Sequence, residues 1–187
     1  LTVGVSDIAP WRNSLAMLLS FPGVALYGIG LLSLEKLIIG EREQKKYRSL
    51  TICGLTPWLC LHLFYIMIFY AFAWLTHNGY ESVALPLAEA LYGHLSWLVI
   101  ASEVIMLPPF LYCFYIQVTG RTAFQKKMAF TNVLFIFAAF QALKAVLPNS
   151  AFRLGFTNGM MSESMFVWFA ILLVWVLRNE KSRGEER

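Results

Sequence analysis

The apolar residues of this chain gather into five long runs separated by short polar stretches, at residues 14–34, 50–75, 89–117, 128–147 and 156–177. A helix needs about 20 apolar residues to cross a hydrocarbon core. Each run therefore predicts one membrane-spanning helix, and the fold class is an all-α transmembrane helical bundle. Ser6 or Asp7 can cap the first helix, with Pro10 at an early helical position. Pro22-Gly23 should kink it, which neighbouring helices can tolerate by satisfying the freed carbonyl. Ala16 and Ser20, four apart, would let another helix approach closely.

The polar stretches mark the connections. Glu35–Arg48 reads as a charged loop able to continue the first helix beyond the bilayer, and Asn78-Gly79 is a turn signal between the second and third runs. Gly120-Arg121 and Lys126-Lys127 separate the third from the fourth, and Pro148-Asn149-Ser150 ends the fourth. The tail from Arg178 to Arg187 is charged and expected to fray. No internal repeat or linker divides the chain, so residues 1–187 are expected to form a single integral membrane domain. Residue 1 is Leu and no signal peptide follows it. The expectation is a missing N-terminal span, giving six in the intact protein.

Composition agrees with lipid as the solvent. The chain is 58% hydrophobic and only 14% charged, with a mean hydropathy of +0.61, where a soluble domain carries roughly 25% charged residues. Its net charge of +4 is spread in short runs between apolar segments rather than gathered on one face, which argues against nucleic acid as a partner. The lipid bilayer is the one partner the pattern demands; a small-molecule or lipid ligand and a homo- or hetero-oligomer are compatible with it. Cys53, Cys60 and Cys113 form no framework and read as buried thiols.

Placement of charge predicts orientation. Cytoplasmic loops carry the excess of Lys and Arg, and 12 of the 15 basic residues fall after the first run, after the third run and in the tail. The C-terminus is thus expected in the cytoplasm, in a bacterial inner (plasma) membrane, with residue 1 outside.

The third run carries the candidate chemistry. It holds Glu89, His94 and Glu103 and is interrupted by Pro108-Pro109. An ionisable group in hydrocarbon costs several kcal/mol unless paired or wet. At 100° per residue, Glu89, Ser96 and Glu103 form one stripe flanked by Tyr92 and Gly93, with His94 on roughly the opposite side. Glu103 and His62 lie near mid-depth on consecutive helices, where a pair could relay protons or act as acid and base. The plainer alternative is one interhelical hydrogen bond.

A second group of polar residues lies toward the outer face: His77, Glu81, Glu89, His94, Gln141, Lys144, Asn158, Ser162 and Glu163. Gln141 and Lys144 are one turn apart, and Lys144 could pair with Glu89 or Glu163 in a wet vestibule, or simply snorkel to the interface. His62, His77 and His94 have no metal-ligand spacing, so no metal is expected. No nucleotide-binding or hydrolase motif is present, and no cofactor is expected. Trp58, Trp74, Trp97, Trp168 and Trp175 read as interface belt and core.

A Gly-x-Thr lead-in with a downstream Asn (Gly120, Thr122, Asn132), a Leu-Pro exit (Leu147, Pro148) and an Asn-Gly before an aromatic run (Asn158, Gly159, Phe166, Phe169) make the last two spans resemble an uncharacterised family of small bacterial multi-pass membrane proteins. That resemblance implies helical topology and lends no activity.

The leading expectation is a protein whose bundle interior binds or passes a small solute or proton, using Glu103 with His62 and Glu89 with Lys144. A freed set of carbonyls and a hinge at Pro108-Pro109 would assist it. An intramembrane enzyme acting on a lipid or isoprenoid, and a structural or assembly subunit of a membrane complex, are the alternatives.

Overall fold

The computed structural model describes residues 9–185 and is all-α. Its helices are α1 (Pro10–Ser33), α2 (Glu41–His77), α3 (Glu81–Val118), α4 (Val133–Val146) and α5 (Ala151–Glu185), with 3-10 turns at Leu34–Leu37 and Lys126–Thr131. Among the described residues, four candidate spans are long and apolar enough to cross a membrane: Pro10–Leu37, Glu41–His77, Glu81–Val118 and Met160–Asn179. The protein is membrane-embedded.

Several boundaries differ from the sequence pattern for physical reasons. Pro10 opens α1 as expected, but the capping residue is Ala9, which makes no side-chain cap; Ser6 and Asp7 lie outside the described residues. The charged stretch extends α1 only by the 3-10 turn Leu34–Leu37. The chain turns at Gly40 (φ 96°), and Glu41–Arg48 become the first two turns of α2, where Glu41 and Glu43 suit the positive end of the helix. The fourth run breaks at Asn132, leaving α4 with 14 residues. At 1.5 Å per residue that is about 21 Å, short of a roughly 30 Å core.

Nor do Pro108 and Pro109 break α3, which is continuous through both. Each proline still removes one helical donor. Pro109 leaves the Ile105 carbonyl without its partner four residues on, and that oxygen faces α2 at Gly54. A Cβ built on Gly54 would fall 2.9 Å from it and 3.2 Å from the Met106 sulfur. The bare glycine thus admits a freed carbonyl into a close helix contact, a place where weak Cα–H···O interactions recur.

Two units can be described separately. The first takes Leu1–Lys36 and Lys45–Pro109, hence α1, most of α2 and the first three-quarters of α3. Tyr47 donates to the Leu31 carbonyl at 2.9 Å, tying α2 to α1, and Tyr65 donates to the Leu95 carbonyl at 2.7 Å, tying α2 to α3. Tyr27 meets Trp58 edge-on, and Phe72 packs with Ala84 and Ala88 beside the α2–α3 turn. That turn is Asn78-Gly79, with Gly79 at φ 82° and Tyr80 N–H donating back to the Leu75 carbonyl at 3.0 Å.

The second unit takes Leu37–Gln44 and Phe110–Arg187. Here α3 ends in a Schellman cap at Gly120 (φ 72°), with Arg121 N–H on the Ile116 carbonyl and Gly120 N–H on that of Gln117. The residues after the cap pair with the turn before α2. Ile39 N–H donates to the Arg121 carbonyl and Ala123 N–H to that of Leu37, both at 2.8 Å, flanking an isolated bridge between Ile38 and Thr122. Arg121 also reaches Glu43 at 2.8 Å. Asn132 is fully buried and caps α4 by accepting from Leu134 N–H, while α4 and α5 pack as a hairpin. Trp168 is fully buried and meets Phe110 edge-on, and Trp175 meets Phe124.

Candidate functional site

Each candidate residue takes its place from the helix that carries it. On α2, His62 is half-buried and stacks on Trp58 one turn earlier, with ring centroids 5.4 Å apart. The i,i+4 spacing brings the two rings together. On α3, the buried side within the first unit follows Ala84, Ala88, Ser102, Met106 and Pro109. Glu103 is next to Ser102 in sequence and so lies about 100° round the helix from it. It is exposed, and so are Glu89 and His94. No hydrogen bond or ion pair links His62 to Glu103 among the described residues.

In the second unit, Lys144 is half-buried in the last turn of α4, and Glu163 is half-buried twelve residues into α5. The hairpin offsets these two by about 15 Å along its axis, and no ion pair joins them. One carboxyl oxygen of Glu163 is fully shielded and has no hydrogen-bond partner among the described residues. Gln141 is exposed, Ser162 is half-buried, and the side chain of Asn158 lies outside the described residues. Among the described residues, no three metal-ligating side chains converge. Cys113 is buried as expected, whereas Cys53 and Cys60 are exposed on α2.

The first unit contains a feature that the apolar pattern did not point to. At the end where α1 begins and α2 finishes, a cavity of about 310 Å³ is lined by Pro10, Ser14, Tyr70, Ala73, Trp74, His77 and Asn78. Its wall from α2 follows helical spacing: residues 70, 73, 74 and 77 are i, i+3, i+4 and i+7, and Asn78 follows in the turn. Trp74 stacks on Tyr80 with centroids 6.2 Å apart. Asn78 donates its amide to the Trp74 carbonyl, and Ser14 donates its hydroxyl to that of Pro10. The lining thus combines aromatic rings with imidazole, amide, phenol and hydroxyl groups. Such a mixture suits a molecule that is apolar at one end and hydrogen-bonding at the other.

His77 belongs to the outer polar group read from the sequence; Ser14, Tyr70, Trp74 and Asn78 were missed as site residues. An aromatic near the end of an apolar run looks the same whether it anchors the helix or lines a cavity. Only the packing of α1 on α2 separates the two.

No curated protein and no solved structure is similar to this chain. A family model matches residues 1–179, and the chain belongs to that family, a family of unknown function (DUF6796).

Proposed function

We propose that this membrane protein binds a small amphipathic molecule in the cavity between the start of α1 and the end of α2. The observation that carries the reading is the cavity itself, since about 310 Å³ lies at the lower end of the range for small-molecule sites. Its lining groups Trp74 with His77 and Asn78, so a ligand's apolar part would stack on the indole while its polar part meets the imidazole and amide. By the bias of Lys and Arg, this end of the unit faces away from the cytoplasm of a bacterial inner membrane. Uptake would then begin from the outer interface. Passage of the solute or of a proton through the interior has less support, because His62 and Glu103 share no hydrogen bond. The same separation weighs against a Glu103–His62 acid–base pair in an intramembrane enzyme.

The test is native mass spectrometry of protein purified in mild detergent. Wild type should retain a small adduct from its membrane. Ala73→Phe fills the cavity, and His77→Ala removes the imidazole; each should lower adduct occupancy at least about tenfold. Identical spectra for wild type and both variants, with helicity preserved, would reject the cavity as the site.

A further inference from the structure

The outward face of α3 in the first unit carries an exposed acid. Glu103 is exposed between Ile100 (66% exposed) and Val104 (59%), and it makes no hydrogen bond or ion pair among the described residues. It lies 22 residues after Glu81 and 15 before Val118, or about 33 Å and 22 Å along the helix. It is also the midpoint of the apolar run 89–117, 14 residues from either end, which centres it in a roughly 30 Å core. A glutamate is too short to snorkel out from there, so hydrocarbon against this carboxylate costs several kcal/mol or more.

The surroundings suit a helix as the cover. Glu89, Ser96 and Glu103 repeat every seven residues, the spacing that keeps one seam facing a partner that crosses at a shallow angle. Beside that seam Gly93 has nothing within 4 Å of a built Cβ, leaving room for a close backbone approach. A second copy of this chain does not meet the need. A two-fold axis along the membrane normal sets Glu103 beside Glu103, and like charges repel. Nor does any lysine or arginine of the described chain sit in the middle of an apolar run: Arg12, Lys144 and Arg153 lie near helix ends, and the others flank the runs.

We propose that this face of α3 docks a transmembrane helix of another protein that carries a lysine or arginine at mid-depth, whose cation pairs with Glu103. Charge complementarity selects that partner, and Gly93 lets it come close. The inference is independent of the cavity at the end of α2.

Labelled protein in lipid nanodiscs provides the test, using a synthetic leucine-rich helix of about 20 residues with one central lysine as the probe and the same helix with leucine there as control. Energy transfer should show the lysine helix binding wild type at least about tenfold more tightly than the leucine helix. Glu103→Leu should erase the preference, and Glu103→Asp should keep most of it. The idea fails if the two helices bind alike, or if the preference survives in Glu103→Leu. It also fails if donor- and acceptor-labelled copies of this chain pair through residue 103 and the lysine helix does not displace them. Should Glu103→Leu lose helicity, Glu103→Gln, which keeps the shape, takes its place in the comparison.

Discussion

Two glycines on the first unit have opposite surroundings and therefore opposite expected tolerances. Gly54 sits where the Ile105 carbonyl, deprived of its donor by Pro109, presses against α2, and a methyl group there would meet backbone at 2.9 Å. Backbone does not swing aside as a side chain does. Gly54→Ala should cost about 1–3 kcal/mol as overpacking, seen as a lower unfolding midpoint in detergent, whereas Gly93→Ala, with open space around it, should cost nothing. Equal midpoints for the two would remove the claim that a freed carbonyl fixes the α2–α3 distance. The sequence showed Pro109 plainly. It did not show which residue of another helix lies opposite Ile105, because that depends on the register of two packed helices.

At the scale of elements, the apolar pattern gave every helix its place but misjudged several ends. Polarity alone cannot distinguish a charged loop from the charged first turns of a helix, so Glu41–Arg48 read as loop until Gly40 supplied the turn. Likewise, Met128 and Ala129 are as apolar as α4 itself yet form a 3-10 turn. Asn132 marks the change, with its side-chain oxygen accepting from Leu134 N–H and its amide donating to the Phe110 carbonyl at 3.4 Å. An asparagine ahead of an apolar run is a readable start signal, and it outweighed the continuity of hydrophobicity. Asn132→Ala should cost about 1–2 kcal/mol through loss of the cap. Asn132→Ser, which keeps an acceptor for the same N–H, should recover most of that loss in chemical or thermal unfolding. If alanine and serine behave alike, the cap is not what starts α4.

For the whole molecule, the most legible property was membrane embedding, since long apolar runs with so little charge leave few alternatives. The bias of Lys and Arg gives an expected orientation that a fusion can test: a reporter active only in the cytoplasm, fused after Arg187, should be active, and one that works only outside should be silent. The reverse pattern would invert the side assigned to the cavity. The candidate chemistry was less legible. Glu103 and His62 share a depth, but depth says nothing of azimuth, and the 100° between Ser102 and Glu103 turns the acid away from the packed side of α3. Residues around the cavity were hidden for another reason. Ser14 and Asn78 are far apart in sequence and become neighbours only when α1 lies along α2.

The central claim is that the α1–α2 cavity holds a small amphipathic molecule, and the most direct measurement is an experimental density map of the protein crystallised from a lipid phase without added ligand. Non-protein density should lie against the Trp74 indole, with a polar end within hydrogen-bond distance of His77 or Asn78. A cavity closed by its own side chains, or one filled only by water, would contradict that claim.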